Sequence, residues 1–199
     1  MTAMVKPTEE LEHFHPGTRR AWRQWLAKHH ATRPGVWLVL DKAASGHQKL
    51  PYDAVVEEAL CFGWIDGKAL TIDDDQFRVL YKPRSPKSGW SAINKQRVRR
   101  LIAAGLIAPA GLAKIAEAKR NGAWSSLDAA ESLTVPDDLG AALRANKRAA
   151  ANYDTFAPSS KKLILTWIAS AKRPATRAKR IAETVSLAAK GIRANHYRQ

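Results

Sequence analysis

The stretch Cys61-Phe-Gly-Trp-Ile-Asp-Gly67 marks the point at which a helical pattern changes to a strand pattern. Pro51 opens the helical segment, and Gly63 is predicted to end it because glycine readily takes the positive φ found just after a helix. Residues 65–72 and 77–81 have strand character and are joined by three aspartates, which favours an antiparallel hairpin. The sequence around Gly63 therefore predicts a helix followed by a small sheet.

Outward from this point, the two parts of the chain differ in pattern. Residues 18–28 have amphipathic helical spacing and residues 36–40 form an apolar strand, whereas the chain from Ser91 onward follows a 3.6-residue period throughout. The predicted class is α+β, with a small antiparallel sheet and helices in the N-terminal half and an all-helical C-terminal half. We expect subdomains at 1–90 and 91–199, or one continuous domain. The helices predicted after residue 90 span 92–104, 110–120, 137–145, 147–156, 160–171 and 175–190.

Positive charge is concentrated in the second part of the chain. The formal net charge is +15, but residues 1–90 carry 13 basic and 11 acidic side chains, whereas residues 91–199 carry 20 and 7. Such asymmetry is typical of proteins with an anionic partner, such as nucleic acid, lipid headgroups or an acidic protein surface. A solvated face of an alanine-rich helical region is the alternative explanation.

Several protein classes are excluded or disfavoured by composition. A single cysteine, Cys61, rules out a disulfide framework and a structural zinc site, and we expect it to be a small core residue. The start of the chain has no apolar signal segment, and the apolar run at 101–113 is too short to span a bilayer, so a cytoplasmic location is expected. No nucleotide-binding or hydrolase motif occurs, and we predict no metal and no cofactor.

A polar loop between the hairpin and the next helix is the first candidate binding site. Two prolines stiffen it, and Ser91 is predicted to cap the helix, whose N-terminus attracts anions. Arg84 has the geometry to grip a carboxylate or a phosphate. The alternative is that Ser91 only caps the helix and Arg84 pairs with a hairpin acid. The predicted site for an anionic small molecule comprises Trp64, Asp66, Arg84, Ser88, Trp90, Ser91, Asn94 and Lys95.

Trp64 and Asp66 stand beside glycines, which let the backbone approach another group closely. In a binding protein Trp64 would be a wall of the site. In an enzyme acting on a small anionic substrate, Asp66 would serve as an acid or base near Arg84. A tight turn with Trp64 in the core explains the same residues without any ligand. No catalytic residue is assigned, and a non-enzymatic protein is favoured.

A second candidate surface lies near the C-terminus. Arg173, Arg177 and Arg180 follow helical spacing and share one face, beside Lys172. Two helices joined at Pro174 resemble a helix-turn-helix, so this face is a candidate contact for nucleic acid or an acidic partner. Any amphipathic helical hairpin with arginine on its outer face gives the same pattern. Pairing of these arginines with the hairpin aspartates is a further alternative.

A series of short motifs runs through most of the chain: Ala59-Leu-Cys-Phe-Gly-Trp-Ile-Asp-Gly67, Pro83-Arg84, Ser88, Trp90-Ser91, Asn94, Gly105, Pro109-Ala-Gly-Leu112, Ala118-Lys119, Gly122, Trp124, Val135-Pro-Asp-Asp-Leu139, Trp167-Ile168, Ala171-Lys-Arg-Pro-Ala-Thr-Arg177 and Arg180-Ile181. In these motifs the chain resembles the YdeI/OmpD-associated, or bacteriocin-protection, family over about residues 11–193. The resemblance implies a small bacterial protein linked to protection against bacteriocins or antimicrobial peptides, and it implies no reaction or cofactor. The segment Ser125-Ser-Leu-Asp-Ala-Ala130 lacks an aromatic residue expected there.

Overall fold

A computed structural model describes residues 11–196. The chain divides into two compact units, Met1–Trp124 and Ser125–Gln199. Two helices that follow residue 90, Ala92–Ala103 (α3) and Pro109–Arg120 (α4), contact the helix Tyr52–Cys61 (α2) of the first unit. The two compact units therefore meet after Trp124, whereas the balance of charge changes after residue 90. The expected subdomain boundary at residue 90 stays a prediction.

The first unit contains a four-stranded sheet with the order β1-β2-β4-β3. Its strands are His13–Phe14 (β1), Val36–Asp41 (β2), Trp64–Thr71 (β3) and Gln76–Pro83 (β4). The β3–β4 hairpin is antiparallel, as predicted, and β4 also pairs antiparallel with β2. The sheet as a whole is mixed because β1 runs parallel to β2. A two-residue strand has no period for a sequence pattern to reveal.

Helices α1 (Arg19–His29) and α2 contribute apolar side chains to the main core of the first unit. Thr18 caps α1 by accepting a hydrogen bond from the Ala21 backbone N–H, and a short 3-10 turn spans Ala43–Ser45. Trp22 and Leu26 are fully buried, and Trp22 packs edge-on against Tyr81 of β4. The sheet and these two helices thus share one core, which confirms the α+β class.

The N-terminal end of α4 lies against the C-terminal end of α2. The Ala108 N–H donates to the Cys61 carbonyl over 3.0 Å, and a Cβ placed at Gly111 would lie 2.3 Å from that carbonyl oxygen. Gly63 ends α2 with φ +73°, as predicted. Only glycine at position 111 lets the two helices approach this closely.

The second unit is entirely helical within the described residues. Its core has fully buried Leu139, Ile164 and Ile168 at its centre. Ser159 lies in the first turn of its helix and does not cap it, because the helix begins at Pro158 with Ala157 before it. The helices are Asp128–Glu131 (α5), Asp137–Arg144 (α6), Lys147–Thr155 (α7), Pro158–Ala169 (α8) and Pro174–Ala188 (α9).

Across residues 11–196, the helices fall short of the length and apolar character that a membrane span requires.

Candidate functional site

Arg84 lies just past the end of β4, at the start of the predicted loop. Its backbone N–H donates to the Gly63 carbonyl over 2.9 Å, so the loop begins beside the turn that ends α2. Only 4% of Arg84 is exposed. Its Nη2 donates to the Gly89 carbonyl over 2.7 Å and lies 3.4 Å from the Ser88 hydroxyl. These hydrogen bonds therefore connect the two ends of the loop that Arg84 begins.

The guanidinium of Arg84 is nevertheless incompletely satisfied. Within residues 11–196, its buried Nε has no hydrogen-bond partner, and no carboxylate lies within ion-pair distance of the guanidinium. Burial lowers the pKa of Arg84 to about 10, and the nearby Asp66 opposes this shift. A buried cation without an ion-pair partner is costly, since carbonyl groups do not neutralise its charge.

Two tryptophan rings contact this guanidinium and the side chains of two lysines. We call the five residues the cation–tryptophan cluster: Arg84, Trp90, Trp124, Lys95 and Lys119. The Arg84 guanidinium lies 3.9 Å from the Trp90 ring centroid, and the Trp90 and Trp124 rings are 5.1 Å apart. The ammonium groups of Lys95 and Lys119 each lie 5.4 Å from the Trp124 ring. Aromatic faces stabilise cations without neutralising them, so the Trp90 ring leaves the charge of Arg84 in place.

Ser91 caps α3 as predicted, by accepting a hydrogen bond from the Asn94 N–H over 3.4 Å. The Asn94 side chain accepts from Arg97 over 2.9 Å, and Arg97 also pairs with Asp53. These contacts orient the start of α3 next to the loop. Capping accounts for Ser91, and Asn94 serves to hold Arg97.

Asp66 and Trp64 lie on β3 but have different surroundings. Trp64 is 1% exposed, packs edge-on against Trp25 and donates from Nε1 to the His30 carbonyl, so it is a core residue rather than a wall of the site. Asp66 accepts a 2.7 Å hydrogen bond from the Tyr52 hydroxyl instead of pairing with Arg84.

Two tyrosines adjoin Asp66. Burial, followed by the Asp66 charge, raises the pKa of Tyr52 well above its usual value. Tyr81, opposite Asp66 in the β3–β4 register, is fully buried, and its hydroxyl has no hydrogen-bond partner among the described residues. Neutral tyrosines and a hydrogen-bonded aspartate thus form the polar interior next to β4.

The C-terminal arginines are used differently. Arg177 pairs with Asp138 through two hydrogen bonds of 2.6 and 2.9 Å, so its acidic partner is on α6 and not in the hairpin. Arg180 donates to the Trp167 carbonyl and to the Ser170 hydroxyl, and it stacks on the Trp167 ring at 5.0 Å. Lys172 and Arg173 are exposed. Two of the four predicted contact residues therefore stabilise the helical unit itself.

The structure thus joins part of the predicted site and adds to it. Arg84, Ser88, Trp90 and Lys95 belong to one region of the first unit, whereas Trp64 is in the main core. The sequence prediction of the site missed Trp124, Lys119 and the Tyr52–Asp66 pair. Trp124 follows the end of a different helix, so no local spacing connects it to Trp90, and the family resemblance was the one signal that included it.

Comparison with known families assigns both parts of the chain. Residues 14–114, half of the chain, match a domain of unknown function, DUF8412. Residues 132–191 match the family described as bacteriocin-protection, YdeI or OmpD-associated, so the predicted resemblance is confirmed over the helical unit. No curated protein and no solved structure matches the chain significantly. The chain therefore belongs to the DUF8412 family through its sheet-containing unit, and its C-terminal helices are similar to the bacteriocin-protection, YdeI- or OmpD-associated family over residues 132–191.

Proposed function

We propose that this protein binds a small anionic ligand at the cation–tryptophan cluster. We further propose that this binding contributes to bacteriocin protection, the role named in the description of the family that its helical unit matches. The observation that carries the proposal is the Arg84 side chain, which is 4% exposed and has an unpartnered Nε. A carboxylate or phosphate oxygen near Nε would supply both the missing hydrogen-bond acceptor and the missing negative charge. Phosphates and carboxylates are therefore the ligand groups that the site favours.

The charge balance around the site supports an anionic ligand. Arg97 already has Asp53 as its partner, and Asp66 is hydrogen-bonded by Tyr52. Among residues 11–196, the hydrogen-bond acceptors of Arg84 are backbone carbonyls and the Ser88 hydroxyl, beside the Trp90 ring. Because an oxyanion adds the attraction between opposite charges to the hydrogen bond, it would bind Arg84 more strongly than these neutral groups do.

Two observations favour binding over the other functions considered. Asp66, the acid that an enzymatic reaction would require, is engaged by Tyr52. Direct capture of cationic peptides is disfavoured, since a protein with a net charge of +15 repels them at long range. A ligand-binding role in a protective response is consistent with both.

The test is a binding screen against phosphorylated metabolites and acidic peptides, with wild type and Arg84→Ala compared by calorimetry. We expect Arg84→Ala to weaken binding of the preferred ligand at least tenfold, since a hydrogen bond to a charged group contributes about 1.5–3 kcal/mol. Arg78→Ala is the matched control because Arg78 also stacks on a tryptophan, Trp37, at 4.7 Å. Its affinity should match that of wild type.

Arg84→Lys separates charge from geometry. Lysine keeps the charge but lacks the planar fork, so we expect intermediate affinity. Circular dichroism establishes that each variant is folded before it is titrated. Equal affinity of wild type and Arg84→Ala for every ligand that binds would contradict the proposal.

A further inference from the structure

A small cavity in the helical unit has no role in the proposed anion site. Its volume is about 160 Å³, and it is lined mainly by Ala129, Ala130, Pro136, Leu165 and Ala169, with Arg177 also in the lining. A cavity of about 150 Å³ accommodates benzene, whereas pockets for drug-sized ligands usually exceed about 300 Å³. The volume therefore suits a compact body of four to six carbon atoms and excludes a nucleotide.

The rim of this cavity is held in place by hydrogen bonds. After α5, the Thr134 N–H donates to the Ala129 carbonyl over 2.8 Å, and the Leu133 N–H donates to the Ala130 carbonyl over 3.2 Å. Leu133 has φ +57°, a conformation that glycine normally supplies at this position of a helix end. The turn is therefore fixed by its surroundings, and the cavity is preformed.

Arg177 provides the polar group of the lining. Its Nε and Nη2 bind Asp138, which fixes the plane of the guanidinium. Its Nη1 makes, among the residues that the structure describes, one long contact of 3.5 Å, to the Ile168 carbonyl at the end of α8. Nη1 therefore keeps donor capacity for a ligand.

The net positive charge of the surrounding unit favours a negatively charged ligand. Residues 125–199 carry 13 basic and 6 acidic side chains, a net charge of +7. Asp138 offsets Arg177 only in part, because 46% of its side chain is exposed and water screens its charge. An anionic ligand group is therefore favoured over a cationic one.

We infer that this cavity is a binding site for small carboxylic acids with a compact apolar body, of the size of benzoate or isovalerate. The apolar body fills the space between α5, the turn before α6, and α8, and the carboxylate accepts a hydrogen bond from Nη1 of Arg177 on α9. This site is independent of the cation–tryptophan cluster, and each can fail without the other.

The experiment titrates benzoate and isovalerate into the full chain and follows the methyl NMR signals of Ala129, Ala130 and Leu165. Ala169→Leu should fill the cavity and weaken binding at least tenfold. Ala169 is exposed, so the change places little demand on the fold. Ala178→Leu, at an exposed position of α9 outside the cavity, should bind as wild type does. Ala129→Leu is a second filling variant, at another exposed lining position, for use if Ala169→Leu is unstable.

Benzyl alcohol tests the carboxylate. We expect it to bind at least tenfold more weakly than benzoate, because it lacks the charge that Arg177 recognises. Saturable shifts of the cavity methyl signals that are lost in Ala169→Leu would support the inference. It would be overturned by unshifted methyl signals at high benzoate concentration, by equal binding to the filled variant, or by equal affinity for benzyl alcohol.

Discussion

Arg84 and Arg177 show two opposite uses of arginine in one chain. Arg84 is 4% exposed, and its surroundings within the described residues offer it carbonyls, a hydroxyl and a tryptophan ring but no carboxylate. The Arg177 side chain is 31% exposed and binds Asp138 through two hydrogen bonds. Arg84, the less exposed of the two arginines, thus has less compensation of its positive charge than Arg177. Within the described residues Arg84 lacks a carboxylate partner, whereas Nε and Nη2 of Arg177 are already occupied by one.

Stacking on tryptophan does not make this distinction. Arg84 stacks on Trp90 at 3.9 Å, and Arg180 stacks on Trp167 at 5.0 Å. Arg180 also donates to the Trp167 carbonyl and Ser170 at the C-terminal end of α8, where a cation is favoured by the helix dipole. Some of the basic side chains of the C-terminal helices therefore stabilise the helical unit. The positive charge of these helices is for that reason a weaker indicator of nucleic-acid binding.

The two regions also differ in how tightly their helices pack, and Gly111→Ala tests this with the largest expected effect. The new Cβ would lie 2.3 Å from the Cys61 carbonyl oxygen, so α4 must move away from α2. We expect a loss of about 3 kcal/mol in the free energy of unfolding, since overpacking against backbone cannot relax by side-chain rotation. Urea denaturation followed by circular dichroism measures it.

Gly140→Ala in α6 is the matched control. Its Cβ would meet the tip of the Arg144 side chain at 3.2 Å and would lie in ordinary van der Waals contact with Val135 Cγ1 at 3.8 Å. Because alanine favours a helix over glycine by up to about 1 kcal/mol, this variant should be as stable as wild type or more stable. Equal effects of the two substitutions would show that the close approach at Gly111 is not limiting.

Arg177→Gln tests the paired side of the comparison with a smaller effect. Hydrogen bonds from Arg177 lower the pKa of Asp138 below 3.8. The pair therefore stabilises the fold at pH values above 3.8, and this contribution is lost as the pH falls through the lowered pKa of the folded state. We expect Arg177→Gln to cost about 0.5 kcal/mol at neutral pH, because the pair is partly exposed.

Urea unfolding from neutral pH into the acid range measures this dependence. The difference between wild type and Arg177→Gln should vanish once Asp138 is protonated. Arg148→Gln, an exposed residue of α7, controls for loss of one positive charge and should leave stability unchanged. A difference that persists at the lowest pH would contradict the ion-pair explanation.

The sequence predicted secondary-structure elements better than it predicted tertiary contacts. Helix periodicity located α2, α3 and α4, and Gly63, which has a positive φ, marked the end of α2. Strand β1 and helix α5 were missed because two and four residues are too few to show a period. Ser91 and Arg84 were found as a cap and a cation, since both signals are local.

Residues brought together by tertiary packing escaped prediction. Trp124 meets Trp90 across 34 positions of sequence, and Asp138 meets Arg177 across 39. No short pattern records such pairs, so the sequence could not show which arginine has a carboxylate partner. That difference separates the two arginine sites, and it became visible only in the fold.

The most direct measurement compares the side-chain Nε–H signals of Arg84 and Arg177 by ¹H–¹⁵N NMR during titration with inorganic phosphate. Arg84→Lys and Arg177→Gln assign the two signals. We predict a saturable shift of the Arg84 signal and a constant Arg177 signal, because Arg177 Nε already donates to Asp138 over 2.6 Å. An Arg84 signal that stays constant, or equal shifts of both signals, would contradict an anion-binding role for Arg84.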